Sequence, residues 1–573
     1  VYPPHTLRDY ALIADGCRGA LVGPRGDISW LCAPRWDSPA VISHLVGGDG
    51  IYAVTPTDTF VWGGCYEPNS MIWRSHWVAG DTMVESRDAL AFPGEEHRLV
   101  LLRRISADDR PVRVGVLLRL SGDFGTTPMT RPRLDDDGRW HSRVGELYLR
   151  WSGAPEASWT DHALRTEITV EPGRSADLVL EISDRPLLDP PQPDRAWSAT
   201  ENAWREAVPD LAHAAAPRDA GHAYAVLRSL TSPGGGMVAA ATLGLPERAE
   251  AGKNYDYRYA WIRDQVYAGM ACAVDQPFPL LGDALDFTCA RLLEHGDAIA
   301  PGYRIDGSDI PGETTLDLPG YPGGAVKVGN WVRQQFQLDA LGEMLELLAA
   351  GARLDHLDSH HVEAIDVAIG VIERKWTDAE AGIWELDDAW WTQSRLAAVA
   401  GLRAVAQQLP SGQGAKATGL ADAILAETSR RCLAPDGSWQ RSPEHPGVDA
   451  SLLLPAVRGG LPAHDPRTLA TLARVESDLV QDHHVYRYRP DERALGEAEG
   501  SFTLCGFILS LALLQQGDVT EAYRYFDIQR SVCGPPGLLS EEFDVAQRQL
   551  RGNAPQAFVH AMLLETAQRL ALA

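Results

Sequence analysis

The chain has 573 residues, of which 45% are hydrophobic and 23% charged, enough to bury a sizeable core without disulfide or metal staples. Its 52 Lys and Arg stand against 78 Asp and Glu, and the resulting net charge of −26 repels phosphate backbones and anionic lipid. Nucleic acid and membrane are therefore not expected as partners, and composition leaves the oligomeric state open.

Nothing at Val1-Tyr2-Pro3-Pro4-His5 resembles an export signal, and no run approaches the ~18 apolar residues of a membrane span. The eight cysteines (17, 32, 65, 272, 289, 432, 505, 533) are scattered without a Cys-x-x-Cys, which predicts buried thiols in a reducing, cytoplasmic setting. Neither His360-His361 nor His483-His484 has ligand spacing, because adjacent side chains diverge, so no metal is expected. Gly252-Lys253 lacks the remaining residues of a phosphate loop, and Gly234-Gly235-Gly236 reads as a turn, so no cofactor is expected either.

From about 50 to 205 short alternating runs such as Val112–Leu118 and Glu167–Val170 are broken by Gly, Pro and Asp, which predicts antiparallel sheets. Asp189-Pro190-Pro191-Gln192-Pro193 is the strongest linker signal. An N-terminal β-sandwich domain over 1–205 and a linker over 206–216 are expected. The period then changes to 3.6, and twelve helical runs are predicted at about 219–231, 261–274, 280–295, 331–350, 359–376, 392–408, 415–433, 449–456, 464–479, 500–516, 518–528 and 555–571. Twelve helices paired as six hairpins predict an all-α (α/α)6 barrel over 217–573, with long loops such as 296–330 and 480–499 forming one mouth.

Seventeen Trp and sixteen Tyr, several in those loops beside carboxylates and arginines, suit carbohydrate recognition, where rings face sugar C–H surfaces and charged groups fork onto hydroxyls. The same tryptophans could instead pack loops onto the scaffold. The densest cluster, Asn254 to Asp264, holds Tyr255, Tyr257, Tyr259 and Trp261 and runs into an apolar helix. Asp264 there has a plain alternative role as a first-turn dipole partner of that helix, with Arg263 as its salt-bridge mate. Four rings among four charges favour a binding wall.

This cluster resembles the signature of glycoside hydrolase family 15, the glucoamylase, glucodextranase and bacterial trehalase family. Leu21 to Pro39 resembles the opening of the bacterial members' β-sandwich, which makes Arg25-Gly26-Asp27 a hairpin turn rather than an adhesion motif. Leu318-Pro319-Gly320-Tyr321, Val328-Gly329-Asn330 and Gly552 to Phe558 are similar to further family blocks in the same order.

The resemblance implies an inverting exo-acting hydrolase that releases β-D-glucose from the non-reducing end of an α-glucoside, with a small carbohydrate as its only partner and two carboxylates as its machinery. Gly382-Ile383-Trp384-Glu385 matches the acid motif, and an indole beside Glu385 could desolvate it and raise its pKa. Taken alone, Glu385 reads as a helix N-terminal carboxylate. Ser540-Glu541-Glu542 matches the base motif and implies Glu541, with Glu542 the natural miscount; alone, the pair reads as a solvated turn. Tyr257, Trp261, Arg263 and Asp264 are implied for the glucose subsite, and Trp331, Trp384, Trp391 and Arg487 as further substrate contacts. Leu386 replaces the second glutamate of fungal glucoamylases, and Leu386 to Trp391 replaces a Gly/Arg/His-rich run of many bacterial relatives, so the linkage stays open. The alternatives are an α,α-trehalase and a non-catalytic carbohydrate-binding relative on the same scaffold; retention of both Glu385 and Glu541 argues against the latter.

Overall fold

A computed structural model describes residues 2, 4–247, 253–322 and 324–573, so Val1, Pro3 and Gly252 lie outside the described residues. The alternating runs form two antiparallel eight-stranded sheets. One orders Ala11–Ala14, Gly19–Val22, Asp27–Cys32, Ile51–Pro56, Val112–Arg119, Ala163–Val170 and Ser158–Thr160, with Ala40–Ile42 paired to Asp27–Cys32. The other orders Arg133–Leu134, Trp140–Val144, Leu147–Ser152, Ser175–Ser183, Arg98–Ala107, Thr82–Leu90, Trp73–Ala79 and Phe60–Tyr66. Val112, Val114, Val116 and Leu118 take the buried positions of their strand, as a period of two requires, and pack in one core with Trp77 and Trp151. Arg25-Gly26 turns the hairpin into Asp27–Cys32. Gly26 has φ +68, and a Cβ there would lie 2.1 Å from the Val54 carbonyl oxygen, so only glycine fits. A left-handed turn, α1 (Gly122–Gly125), with Asp123 at φ +48 and Phe124 at φ +56, carries Phe124 to Trp30, ring centroids 6.3 Å apart.

Two elements depart from the period-two reading of residues 50 to 205. The sheets begin at Ala11, and the proline run is followed by a helix, α2 (Pro193–Ala207), with Pro193 in its first turn. Its buried Trp197 and Trp204 sit seven residues apart on one face; Trp204 stacks on Phe92 at 3.9 Å, and Arg87 lies 4.6 Å over Trp197.

The helices that follow are α3 (Pro217–Leu230), α4 (Ile262–Ala271), α5 (Pro279–His295), α6 (Leu338–Arg353), α7 (Ser359–Lys375), α8 (Thr392–Ala406), α9 (Ser411–Cys432), α10 (Leu454–Val457), α11 (Pro466–Leu479), α12 (Thr503–Gln515), α13 (Val519–Arg530) and α14 (Ala557–Ala571). Each coincides with a predicted run, with two changes. Residues Trp331–Gln334 form a separate 3-10 turn capped by the Asn330 side chain, leaving α6 to start at Leu338. The run at 449–456 is a 3-10 turn, Ala450–Leu453, capped by Asp449 and continuing into the four residues of α10.

Contacts run α4 to α6, α8, α10, α12, α14 and back to α4. The other helices flank these: α3 packs on α14, α5 on α4, α7 on α6, α9 on α8 and α13 on α12. Burial follows that division. Thr503 to Leu513 of α12 are all buried, whereas α11 buries one face, Thr468, Thr471, Leu472, Val475 and Leu479. Helices α6 and α8 approach so closely that a Cβ at Gly401 would meet the Gly342 carbonyl oxygen at 2.1 Å.

Sandwich and helices are tied together by buried polar groups. Arg258 pairs with Asp256 at 2.8 Å, both fully buried, and donates to the Ser38 carbonyl at 2.7 Å; Trp30 Nε1 donates to the Ala241 carbonyl at 2.9 Å. Residues 21–39, one of the stretches that carry the resemblance, therefore supply a docking strip between the two parts of the fold.

Candidate active site

Helices α4, α12 and α14 begin at the wall of one cavity, to which they contribute Arg263 and Asp264, Leu504, and Phe558. Its volume is about 110 Å³. One water occupies ~10–15 Å³ on such a measure, so the space suits a group about the size of one sugar ring. Glu385, Glu541, Tyr257, Trp261, Arg263, Asp264, Trp331, Trp384 and Arg487 all line it.

Glu385 sits at φ +54 in the turn that its own N–H closes onto the Gly382 carbonyl at 3.1 Å. A non-glycine residue held in that region is strained, and such strain gathers at functional positions. Its carboxylate accepts from Trp261 Nε1 at 2.8 Å and from Arg263 Nη2 at 3.3 Å. The indole that meets Glu385 thus comes from Trp261 and acts as a donor. Trp384, its sequence neighbour, keeps its ring in the cavity wall but directs its Nε1 to Asp449, at 2.7 Å.

Glu541 accepts from the Tyr257 hydroxyl at 3.2 Å. Burial and the nearby Glu247 and Glu542 carboxyls push its pKa well above the usual range, although Arg487 opposes them. Tyr257 and Trp261 meet edge to face, centroids 5.6 Å apart, so one aromatic pair holds both carboxyl groups. Glu542 lines no part of this cavity: on a short strand, Glu542–Asp544, it accepts from the Gly500 N–H at 2.8 Å. Strand alternation separates the two neighbours.

Asp264 is 2% exposed, and its Oδ1 has no hydrogen-bond partner although it belongs to the cavity wall. Its carboxyl accepts instead from the Phe558 backbone N–H. One oxygen of this wall carboxyl is thus left without a partner, which a helix-cap role does not account for. Arg263 is oriented by Gln337, whose Oε1 accepts from Nη1 at 3.2 Å. Arg487 pairs with Glu499 through two contacts of 2.6 and 2.7 Å and lies 4.6 Å over Phe502. Trp331, 44% exposed, stands at the rim.

Trp391 is a correction, since it does not line this cavity. Gly382, at φ +71, lies against its indole, and Trp391 is buried behind the Glu385 turn between His445, stacked at 5.0 Å, and Arg441. Leu386 occupies the wall instead. Trp391→Ala is expected to cost ~3–5 kcal/mol of stability as a buried aromatic truncation, read by chemical denaturation. Sequence reasoning missed Glu247 and Gln337: the first lies in a loop without periodic signal, and the second only supports Arg263.

Buried carboxyls also set a pH dependence. Burial pushes Asp264 up to about 7, helped by Glu385 against Arg263, and pushes Glu346 on α6 up to about 8 against Arg458. Folded pKa values above the unfolded ~4 mean that the unfolded chain loses protons first as pH rises, so their stabilisation is full below ~4 and is lost up to about 8. Tm measured by scanning calorimetry is expected to fall between pH 5 and pH 8; a flat or rising Tm would contradict this.

A sequence profile described as Glycosyl hydrolases family 15 matches residues 221–568, and one described as Trehalase-like, N-terminal matches residues 4–183. The chain is 28% identical to a trehalase of Mycobacterium tuberculosis over 98% of this chain and 89% of that protein. It is 27% identical to a trehalase of Thermoplasma acidophilum over 96% and 98%. In fold it is similar to a bacterial glucoamylase solved with acarbose, with TM-score 0.72 and 13% identity over 99% of this chain and 94% of that one. Among the described residues no helix is long and apolar enough to cross a membrane.

Proposed function

Because the chain belongs to glycosyl hydrolases family 15, we propose that it is an inverting, exo-acting α-glucoside hydrolase whose substrate is α,α-trehalose. The observation that carries the reading is the pair of carboxyl groups, Glu385 and Glu541, from distant parts of the sequence, facing one cavity of sugar-ring size. Trehalose is favoured by relatives named trehalases that span almost the whole chain and by the trehalase-like N-terminal match. The contact ring of α4, α6, α8, α10, α12 and α14, flanked by the remaining helices, supports the (α/α)6 barrel. We place the division between the two domains at 206–216.

In this mechanism Glu385 protonates the glycosidic oxygen as its bond to C1 breaks, and Glu541 takes a proton from the water that attacks C1 from the other face. Arg263 and Asp264 grip hydroxyls of the glucose being cut, with the edges of Tyr257 and Trp261 against it. Trp384, Leu386 and Trp331 face the departing group.

A second reading, hydrolysis of short α-gluco-oligosaccharides, is favoured by Trp331, an exposed ring at the rim where further sugars would extend. Glucose release from trehalose, maltose, isomaltose, kojibiose and nigerose tests both. Turnover strongest on trehalose is expected; turnover of the others alone would select the second reading, and no release from any of them would refute hydrolysis.

A further inference from the structure

The Trp384 ring forms part of the site wall, and the fold closes in on its far side. A space of about 10 Å³, room for one water at most, shares Ile383, Trp384 and Leu386 with the site cavity and has Trp391, Arg441 and Asp449 among its other walls. The indole has no room to retreat there. Three loops meet at this ring. Trp384 itself lies between α7 and α8. Arg487, between α11 and α12, sets its guanidinium 5.7 Å from the indole centroid, and Phe502, in the same loop, meets the indole edge to face at 5.3 Å. The third loop, between α9 and α10, contributes Asp449.

Asp449 is 5% exposed, and its two oxygens do different things. Oδ1 accepts from the Ser451 N–H at 2.8 Å and from the Ser451 hydroxyl at 2.7 Å, which caps the 3-10 turn Ala450–Leu453. Oδ2 reaches across to another loop and accepts from Trp384 Nε1 at 2.7 Å. The same segment is tied to the third loop through the backbone: the Ala450 N–H donates to the Arg487 carbonyl at 2.8 Å, and Asp449 bridges Tyr488. Each of these side-chain partners is a donor, as an ionised carboxylate requires, and Arg441 beside it supplies the opposite charge.

Resting on the reading that Trp384 faces the departing group, we propose that Asp449 is a positioning residue for the departing sugar. By fixing the Trp384 indole through its N–H, it sets the surface against which a second ring must lie, so a leaving group that carries a ring depends on Asp449 and one without a ring does not. Acid function does not pass through this contact, because Glu385 is held separately by Trp261 and Arg263.

Asp449→Asn tests this with three substrates. With its oxygen at the Ser451 N–H, the amide sets its NH2 against Trp384 Nε1–H, donor against donor. Trehalose has a departing ring that needs protonation, para-nitrophenyl α-glucoside has a departing ring that needs little, and α-glucosyl fluoride has no departing ring. The variant is expected to lower kcat/KM at least ~5-fold on the first two, within the worth of one hydrogen bond, and to stay within about twofold of wild type on the fluoride. Trp384→Phe keeps a ring but no N–H, and adding Asp449→Asn to it is expected to change kcat/KM on trehalose by less than about twofold, since the shared contact is already gone. Unchanged turnover of trehalose by Asp449→Asn, equal losses on all three substrates, a loss on trehalose alone, which would mark impaired acid catalysis, or losses that multiply in the double variant would each overturn the positioning role. If Asp449→Asn does not fold, Trp384→Phe alone removes the other half of the same bond and must show the same pattern across the three substrates; any other pattern overturns the role. Wild-type protein inactive on all three would refute hydrolysis itself and the proposal with it, whereas an active wild type beside any of the contrary patterns refutes the positioning role alone.

Discussion

Glu385→Gln should lower kcat on trehalose by at least ~100-fold, the usual worth of general acid catalysis or more. The second glucose of trehalose would leave as a sugar alkoxide unless the glycosidic oxygen is protonated, and an amide has no proton of that acidity to give. Glutamine keeps an oxygen acceptor for Trp261 Nε1 and Arg263, so the turn and the binding of sugar should survive, with KM little changed. α-Glucosyl fluoride, whose leaving group needs little protonation, separates acid catalysis from other losses and should be hurt far less. Equal losses on the two substrates would remove Glu385 from the role of acid.

Asp264→Asn should impair every α-glucoside by about 10- to 100-fold in kcat/KM, the scale of one hydrogen bond to a charged group. The backbone N–H of Phe558 would still need an acceptor, so the asparagine oxygen is drawn there and its NH2 takes the place of Oδ1, the oxygen that now has no partner. A donor would then face the ligand hydroxyl in place of an acceptor. Steady-state kinetics on trehalose and maltose with a melting curve on the same protein reads the effect. Intact turnover with only a changed Tm would return Asp264 to the role of helix-cap partner.

The helices were legible because an apolar period persists over three or more turns, as in α11, or because the run is apolar throughout, as in α12, and because Pro217, Pro279 and Pro466 stand in the first turns of their helices. Helix α2 was hidden by the prolines before it and by its polar exposed face; only Trp197 and Trp204 mark the buried stripe. In the site, the Tyr257 to Asp264 cluster was readable since residue types and spacing carry it. What each ring does was not: Trp261, rather than Trp384, meets Glu385, because strand and turn geometry, which no local pattern encodes, decides where an indole N–H points. Trp391 was misjudged for the same reason, as the positive φ of Gly382 folds the turn over it. Glu247 stands apart in sequence from Glu541, and only the tertiary fold brings the two residues to one cavity.

Hydrolysis with inversion by Glu385 and Glu541 is tested most directly by the anomers released from trehalose. Both glucose units of trehalose are α-linked, and the sugar has no free anomeric centre to blur the starting signal. Attack by water on the face opposite the leaving group turns one unit into β-glucose, while the other departs with its own oxygen as α-glucose. Proton NMR in the first minutes, before mutarotation, should therefore record β- and α-glucose in equal amounts. A double displacement through a glucosyl-enzyme would retain configuration in both units. Initial release of α-glucose alone would contradict the account.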